Sequence, residues 1–156
     1  MDITRDGGVA SVRVGRLWLA ASGARAISDD AWREYLECSA ASVKTDGPFH
    51  GVLFWAPTHG PSAPQRKMLT HEFAASIRLD AQRRVALISD SALVRGTLTA
   101  INWFARKNTV AFAPGEVRRA FDWLAEEIAF DRELAQRALD EIIVAVQADG
   151  RKRAIS

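Results

Sequence analysis

Three polar residues, Ser89, Asp90 and Ser91, separate an apolar run from a segment with helical periodicity. The run 84–88 predicts a strand, and the apolar spacing after it predicts a helix over 92–106. A serine beside a carboxylate at such a junction could serve as a helix cap, as a phosphate or anion site, or as a nucleophile. These residues are the first candidates for chemistry in the chain.

Capping is the favoured interpretation of Ser91, because a serine hydroxyl accepts a hydrogen bond from the free backbone N–H groups of a first helical turn. The same N–H groups and the helix dipole also favour phosphate. Ser91, with Asp90 and Ser89 beside it, is therefore also a candidate phosphorylation or anion site. Both interpretations stay open at this point.

A catalytic interpretation would use His59 as the base for Ser91. In open α/β sheets the loops beyond the carboxyl ends of the strands lie together, which would gather 58–59, 89–91 and 113–114. However, no Gly-x-Ser-x-Gly elbow surrounds Ser91, and no residue is evident that would orient His59. We therefore expect no catalytic residue and a protein that is not an enzyme.

The residue types that bind metals are sparse. His50, His59 and His71 lack the i, i+4 spacing and the neighbouring cysteines that zinc sites use. Cys38 is the single cysteine, so it forms no intrachain disulfide. We expect neither a metal nor a cofactor.

Length and charge exclude several classes of protein. The 156 residues suit one domain with a sizeable core, and a formal net charge of +2 gives no reason to expect nucleic acid. No apolar run approaches the ~20 residues of a membrane span, and the N-terminal segment lacks the apolar core of a secretory signal. The sequence thus predicts a cytoplasmic protein that binds neither nucleic acid nor a membrane.

Hydrophobic periodicity supplies the elements that would position the candidate residues. The first is a hairpin over 9–20, followed by a helix that Ser28 caps. The predicted elements after it are a strand over 49–55, a breaker-rich loop over 57–64, a helix over 65–79, the strand and helix of the junction, a strand over 109–112, and helices over 114–128 and 131–147.

Strands that alternate with helices are typical of crossover units in a parallel sheet. We predict the α/β class: a mixed, mostly parallel sheet with helices packed on it, plus an extra C-terminal amphipathic helix. The predicted organisation is a flexible N-terminus over 1–8, the α/β domain over 9–128, the additional helix over 129–149 and a basic tail over 150–156.

The stretches "RRVALISDSALVRGTLTAINWF" and "VAFAPGEVRRAFDWLAEE" resemble the SpoIIAA-like family. This family belongs to the STAS-like superfamily, named after sulfate transporters and anti-sigma-factor antagonists. The upstream segment "GPSAPQRKMLTHEF" is similar to the helix that follows the family's second core strand. The resemblance covers roughly residues 9–128, and most of its motifs are structural.

The resemblance implies a small α/β sandwich and a non-enzymatic protein that binds a protein partner in regulation. In the better-known anti-sigma antagonists, a serine at the start of the helix after a core strand is phosphorylated to break the complex with a kinase. Ser91 occupies the comparable place. This sequence departs from the family where Ala92 and Leu93 follow, instead of a second serine and a glycine.

A partner surface is predicted on the helix over 92–106. At 100° per residue, the buried stripe of this helix leaves Gly96, Thr99 and Trp103 on the opposite side. Tryptophan is enriched at the centres of protein interfaces, and a glycine allows close approach. The alternative is that another part of the chain covers Trp103. A homodimer through the wide apolar face of the last helix is a further expectation.

Two other functions remain open. The first is a small-molecule or lipid carrier with a pocket formed by Trp55, His59 and Phe112, with Phe54 beside them, under the loop 57–64. It rests on analogy with other proteins of the same architecture. The second is a peptide-binding protein that uses an exposed edge strand, for which the hairpin over 9–20 is the natural candidate.

Overall fold

The computed structural model describes residues 4–6, 8–92 and 108–154. In this part of the chain, six strands form one sheet in the order β1-β2-β3-β4-β5-β6. The first three strands pair antiparallel, and β3 to β6 pair parallel. The strands are β1 Thr4–Asp6, β2 Val9–Val14, β3 Leu17–Ser22, β4 Gly51–Trp55, β5 Arg84–Ile88 and β6 Thr109–Phe112.

Helices cover both faces of the sheet, which confirms the predicted α/β class. The described helices are α1 Asp29–Asp46, α2 Ala63–His71, α3 Ala74–Ile77, α4 Val117–Ala125 and α5 Arg132–Ala154, with 3-10 turns at Leu79–Ala81 and Pro114–Glu116. One face, here called the inner aromatic face, lies under α1, α2 and α3. The other, the aliphatic face, lies under α4 and α5.

The alternation of side chains along each strand divides the core into these two faces. Leu53 of β4 points to the aliphatic face, whereas its neighbours Val52 and Phe54 point to the inner aromatic face. Because both faces are buried, strands β3 to β5 read as nearly continuous apolar runs.

The last helix is anchored to its own domain. The predicted stripe of α5 is buried on β2 and β3 of the same chain. The buried members of this stripe are Ala135, Ala138, Leu139, Ile142 and Val146. This packing accounts for the wide apolar face without a second copy of the chain.

Local sequence signals explain where the two larger crossover helices begin. The Ser28 hydroxyl accepts a hydrogen bond from the Ala31 N–H at 3.2 Å, as the predicted cap of α1 requires. A capping box begins α2: the Ser62 hydroxyl accepts from the Gln65 N–H at 3.3 Å, and the Ser62 N–H donates to the Gln65 side chain at 2.9 Å. Both helix starts are readable from the residue types.

Three predicted boundaries are wrong. The helix predicted over 65–79 is divided into α2 and α3. Helix α3 ends at Ile77, and the residue that follows, Arg78, has a left-handed φ of 57°. The N-terminus is not wholly flexible, because Thr4–Asp6 forms a strand on β2. The last helix continues to Ala154, into the segment predicted as a basic tail.

Within the described ranges, the helices are all too short or too polar to cross a membrane.

Candidate functional site

The carboxyl ends of the parallel strands meet through backbone hydrogen bonds. The Ser89 N–H donates to the Phe112 carbonyl at 3.0 Å, which joins the end of β5 to the end of β6. The Asp90 N–H donates to the Pro57 carbonyl, also at 3.0 Å, which joins the junction to the loop after β4. The predicted gathering of these three loops is confirmed.

The three junction residues differ in their accessibility. Ser89 is fully buried, and its hydroxyl accepts a hydrogen bond from the Ser91 N–H at 3.2 Å. Asp90 is exposed, Ser91 is half-buried, and Ala92 is the first helical residue. Ser91 precedes this residue directly, at the position of a cap, while the Ser89 side chain is part of the interior.

The structure does not assemble a nucleophile and a base from Ser91 and His59. His59 is exposed on the loop after β4, and none of the hydrogen bonds among the described residues links it to Ser91. That loop is held elsewhere, because the Thr58 hydroxyl donates to the Ala24 carbonyl at 3.0 Å. The loops at the carboxyl ends of the strands therefore lie together as predicted, but Ser91 and His59 do not have the geometry of a nucleophile and its base.

The residues predicted to form a pocket, Trp55, Phe112 and His59, with Phe54, do not all lie on the same side of the sheet. Phe54 and Trp55 are successive strand residues, so their side chains point to opposite faces of the sheet. Trp55 and Phe112 do share the aliphatic face, on either side of Ile88, but Phe112 packs against Trp123 with ring centroids 6.0 Å apart. His59 is exposed and does not belong to this core.

A cavity lies instead on the inner aromatic face, between α1 and the sheet. The described residues enclose about 30 Å³ of space, among them Trp32, Tyr35, Phe49 and Val85. A single water needs at least roughly 10–15 Å³ of such space, whereas pockets for drug-sized ligands have volumes from about 300 Å³ upwards. The described side chains therefore leave room for one or two water molecules and not for a lipid.

Tyr35, Ser39 and Gln82 are buried residues with polar groups that line the cavity. Burial raises the pKa of the Tyr35 hydroxyl to about 12, because the charged phenolate is disfavoured away from water. The hydroxyl is therefore neutral at physiological pH.

The edge strands of the sheet differ from the edge that was predicted from the sequence. The predicted hairpin corresponds to β2 and β3, which are interior strands: β1 pairs with β2, and β4 pairs with β3. The hairpin is therefore a wrong candidate for strand addition. Among the described residues, the sheet ends at the three-residue β1 on one side and at β6 on the other.

Strand β6 has backbone groups on its outer edge that pair with none of the described residues. The Val85 N–H donates to the Asn108 carbonyl and the Ser89 N–H to the Phe112 carbonyl, so alternate residues of β6 bond to β5. The N–H and C=O groups of Thr109 and Ala111 therefore point away from β5. Val110 is 37% exposed. No described strand pairs with this edge.

A cationic row at the opposite, amino ends of the strands was missed by the sequence reasoning. Arg16, His50 and Arg83 each stand directly before β3, β4 or β5. Burial, followed by the charges of Arg16, Arg83 and Arg13, lowers the pKa of His50. A basic or imidazole residue at or next to the start of each of three successive predicted strands is the sequence signal that could have found the row.

Two further expectations concern the predicted partner surface and metal binding. The predicted partner surface of Gly96, Thr99 and Trp103 lies outside the described residues. Across 4–6, 8–92 and 108–154, no group of three His, Cys, Asp or Glu side chains is arranged to hold a metal ion.

Neither a scan against protein-family models nor a search of curated proteins finds a match to this chain. The similarity to the SpoIIAA-like family therefore stays a prediction from the quoted motifs.

Proposed function

We propose that this protein is a non-enzymatic protein-binding module, and that it binds an extended segment of a partner along the outer edge of β6. The observation that carries the proposal is that the outward backbone groups of Thr109 and Ala111 pair with no strand in the described part of the chain. An added strand would satisfy both residues, since each offers one donor and one acceptor. Regulation through a protein partner is also what the resemblance to the SpoIIAA-like family implies.

The composition of β6 supports this use. Natural edge strands are usually protected by charge, by proline, by a bulge or by a covering element. The sequence of β6, Thr-Val-Ala-Phe, has neither a charged residue nor a proline. Val110 adds an exposed apolar side chain at its centre, where alternate side chains of a bound segment could make contact.

Ser91 is suitably placed to modulate this contact. It lies two residues after Ser89, whose N–H holds the carbonyl of Phe112 at the end of β6. A phosphate on Ser91 would add about −2 charge near that end of the edge. A bound segment with acidic residues near that end would be repelled. Phosphorylation of Ser91 would thus be coupled electrostatically to binding at β6.

A selection from a displayed library of short random peptides tests the binding mode. We expect extended sequences with alternating apolar residues to be enriched on the wild-type protein. Ala111→Pro, which removes an outward N–H and no bond to β5, should weaken their binding about tenfold or more, in line with the loss of one hydrogen bond and steric obstruction of the added strand. Ala111→Ser keeps the N–H and should bind as the wild type does.

Thermal unfolding of both variants provides the folding control. If no peptide is enriched, or if folded Ala111→Pro binds the selected peptides as tightly as Ala111→Ser, the edge is not the binding site.

The Ser91 proposal has its own measurement. The affinity of a selected peptide should fall in Ser91→Asp and stay unchanged in Ser91→Ala, because only the former adds charge. Equal affinities for the two variants would remove the modulation while leaving the binding proposal intact.

The carrier function has less support. The cavity of about 30 Å³ among the described residues is an order of magnitude smaller than ordinary ligand pockets. Native mass spectrometry of the purified protein would reveal a discrete adduct if a carrier function were nevertheless correct.

A further inference from the structure

The row formed by Arg16, His50 and Arg83 is built by the register of three parallel strands. The His50 N–H donates to the Arg16 carbonyl at 2.8 Å, and the Arg83 N–H donates to the His50 carbonyl at 2.6 Å. The three residues are thus neighbours across the sheet, where strands are roughly 4.8 Å apart. The alternation along each strand directs all three side chains to the inner aromatic face, with Trp18, Val52 and Val85.

The three side chains form no salt bridge with an acidic residue in the described part of the chain. Arg16 Nη1 lies 2.8 Å from His50 Nε2, so the guanidinium donates to a neutral imidazole. Arg16 and Arg83 are exposed, and neither forms a salt bridge with a described residue. The charged groups that act on His50 are all arginines, namely Arg16, Arg83 and Arg13.

The fourth cation of this region, Arg13, has a structural role. Its guanidinium donates to the Gly15 carbonyl at 2.7 Å and to the Gly47 carbonyl at 2.8 Å, at the C-terminal end of α1. Asp46, the acidic group that acts on this region, acts on Arg13. The row is therefore left with two arginines and a histidine that no carboxylate compensates among the described residues.

We propose that Arg16, His50 and Arg83 form a binding site for the phosphate group of a small molecule, at the end of the sheet opposite the Ser91 junction. A phosphate offers several acceptor oxygens, and two guanidinium groups with an imidazole supply donors on adjacent strands. Phosphate also carries two negative charges near neutral pH, which matches this concentration of positive charge better than a singly charged carboxylate.

Binding changes the state of His50. Without the anion, the imidazole accepts from Arg16, and burial together with the surrounding arginines lowers its pKa and favours the neutral form. A phosphate beside it favours the imidazolium form, so Arg16 turns to the anion and both ring nitrogens of His50 become donors. Binding consequently takes up a proton and becomes weaker as pH rises through the pKa of His50 in the complex.

The test is an NMR titration of the three histidines with inorganic phosphate and, separately, with glycerol phosphate at constant ionic strength. Free and esterified phosphate are distinguished by these two arms. We expect a saturable change at the His50 imidazole, an increase in its pKa at saturation, and no change at the exposed His59 and His71. Arg16→Gln and Arg83→Gln should each weaken binding by about tenfold, as expected when a charge-assisted hydrogen bond is lost.

Arg118→Gln is the matched control, because it removes the same charge from an exposed position on α4, away from the row. It should bind phosphate as the wild type does. The proposal is overturned if neither phosphate compound produces a saturable change at His50, or if acetate produces the same change. It is also overturned if Arg118→Gln weakens binding as much as Arg83→Gln. None of these results depends on β6, so this site and the edge-binding proposal can fail separately.

Discussion

The two faces of the sheet bury similar numbers of elements by different means. The aliphatic face under α4 and α5 is filled by Ala, Val, Leu, Ile and Phe, and its central residues Leu139 and Ile142 have no exposed surface. The inner aromatic face combines stacked and edge-on rings with a cavity and buried polar groups. The core residues of the first face are apolar, whereas the second face also contains hydrogen bonds between buried groups.

Those bonds connect α1 to α2. The Trp32 indole N–H donates to the Gln65 carbonyl at 2.8 Å, and the Gln65 side chain donates to the Ile27 carbonyl at 2.7 Å.

The largest single loss of stability is expected when an equivalent volume is removed from each face. Ile142→Ala removes buried methyl groups from a filled layer and should lower the free energy of unfolding by about 4 kcal/mol. Leu69→Ala should cost about 2 kcal/mol, because Leu69 already borders the cavity and has less packing to lose. Urea unfolding measures both, and equal losses would mean that the two faces are packed alike.

The second difference concerns pH, through Tyr35 on the inner aromatic face. Its pKa of about 12 in the folded protein exceeds the usual value near 10, so the unfolded chain loses the proton first. The contribution of Tyr35 to the free energy of unfolding is fully present below pH 10 and is lost as pH rises from 10 towards 12. The pKa difference between 10 and about 12 corresponds to at most about 2.7 kcal/mol.

Tyr35→Phe should lack this part of the alkaline loss, and chemical unfolding across the pH range compares the two proteins. Since Tyr35 is the single tyrosine of the chain, absorbance of tyrosinate follows its titration directly. A midpoint near 10 in the folded protein would show that the hydroxyl is open to water.

The smallest effect is the response to added methyl groups. Val85→Ile extends a side chain beside the cavity and should leave stability unchanged or raise it by about 0.5 kcal/mol. Ala138→Val inserts volume into a layer with no exposed surface and should cost about 1–3 kcal/mol. Thermal unfolding distinguishes them, and similar shifts for the two variants would remove the distinction between a cavity and a filled layer.

The sequence predicts the features that depend on short-range signals. Helical spacing identified the buried stripe of α5, and Ser28 identified the start of α1, because a cap and a stripe are local properties. The break between α2 and α3 was missed, since neither glycine nor proline marks it. The end of α3 depends on the left-handed backbone of Arg78, which the spacing of apolar residues does not encode.

The candidate sites depend more on pairing between strands, and fewer of them could be predicted. The junction of Ser89 to Ser91 was located because a strand and a helix meet there in the sequence. The edge at β6 required knowledge that β1 covers the hairpin. The cationic row required the register that aligns Arg16, His50 and Arg83, and no single segment contains that information.

The strand order has a consequence for how the chain is made. Each described strand pairs with the one before or after it in the chain, so the sheet can be extended strand by strand as the ribosome delivers it. The cover of β2 and β3 arrives much later, with α5. During synthesis the aliphatic side of the earliest strands is therefore the surface at risk of aggregation, and α5 is the element whose emergence ends that risk.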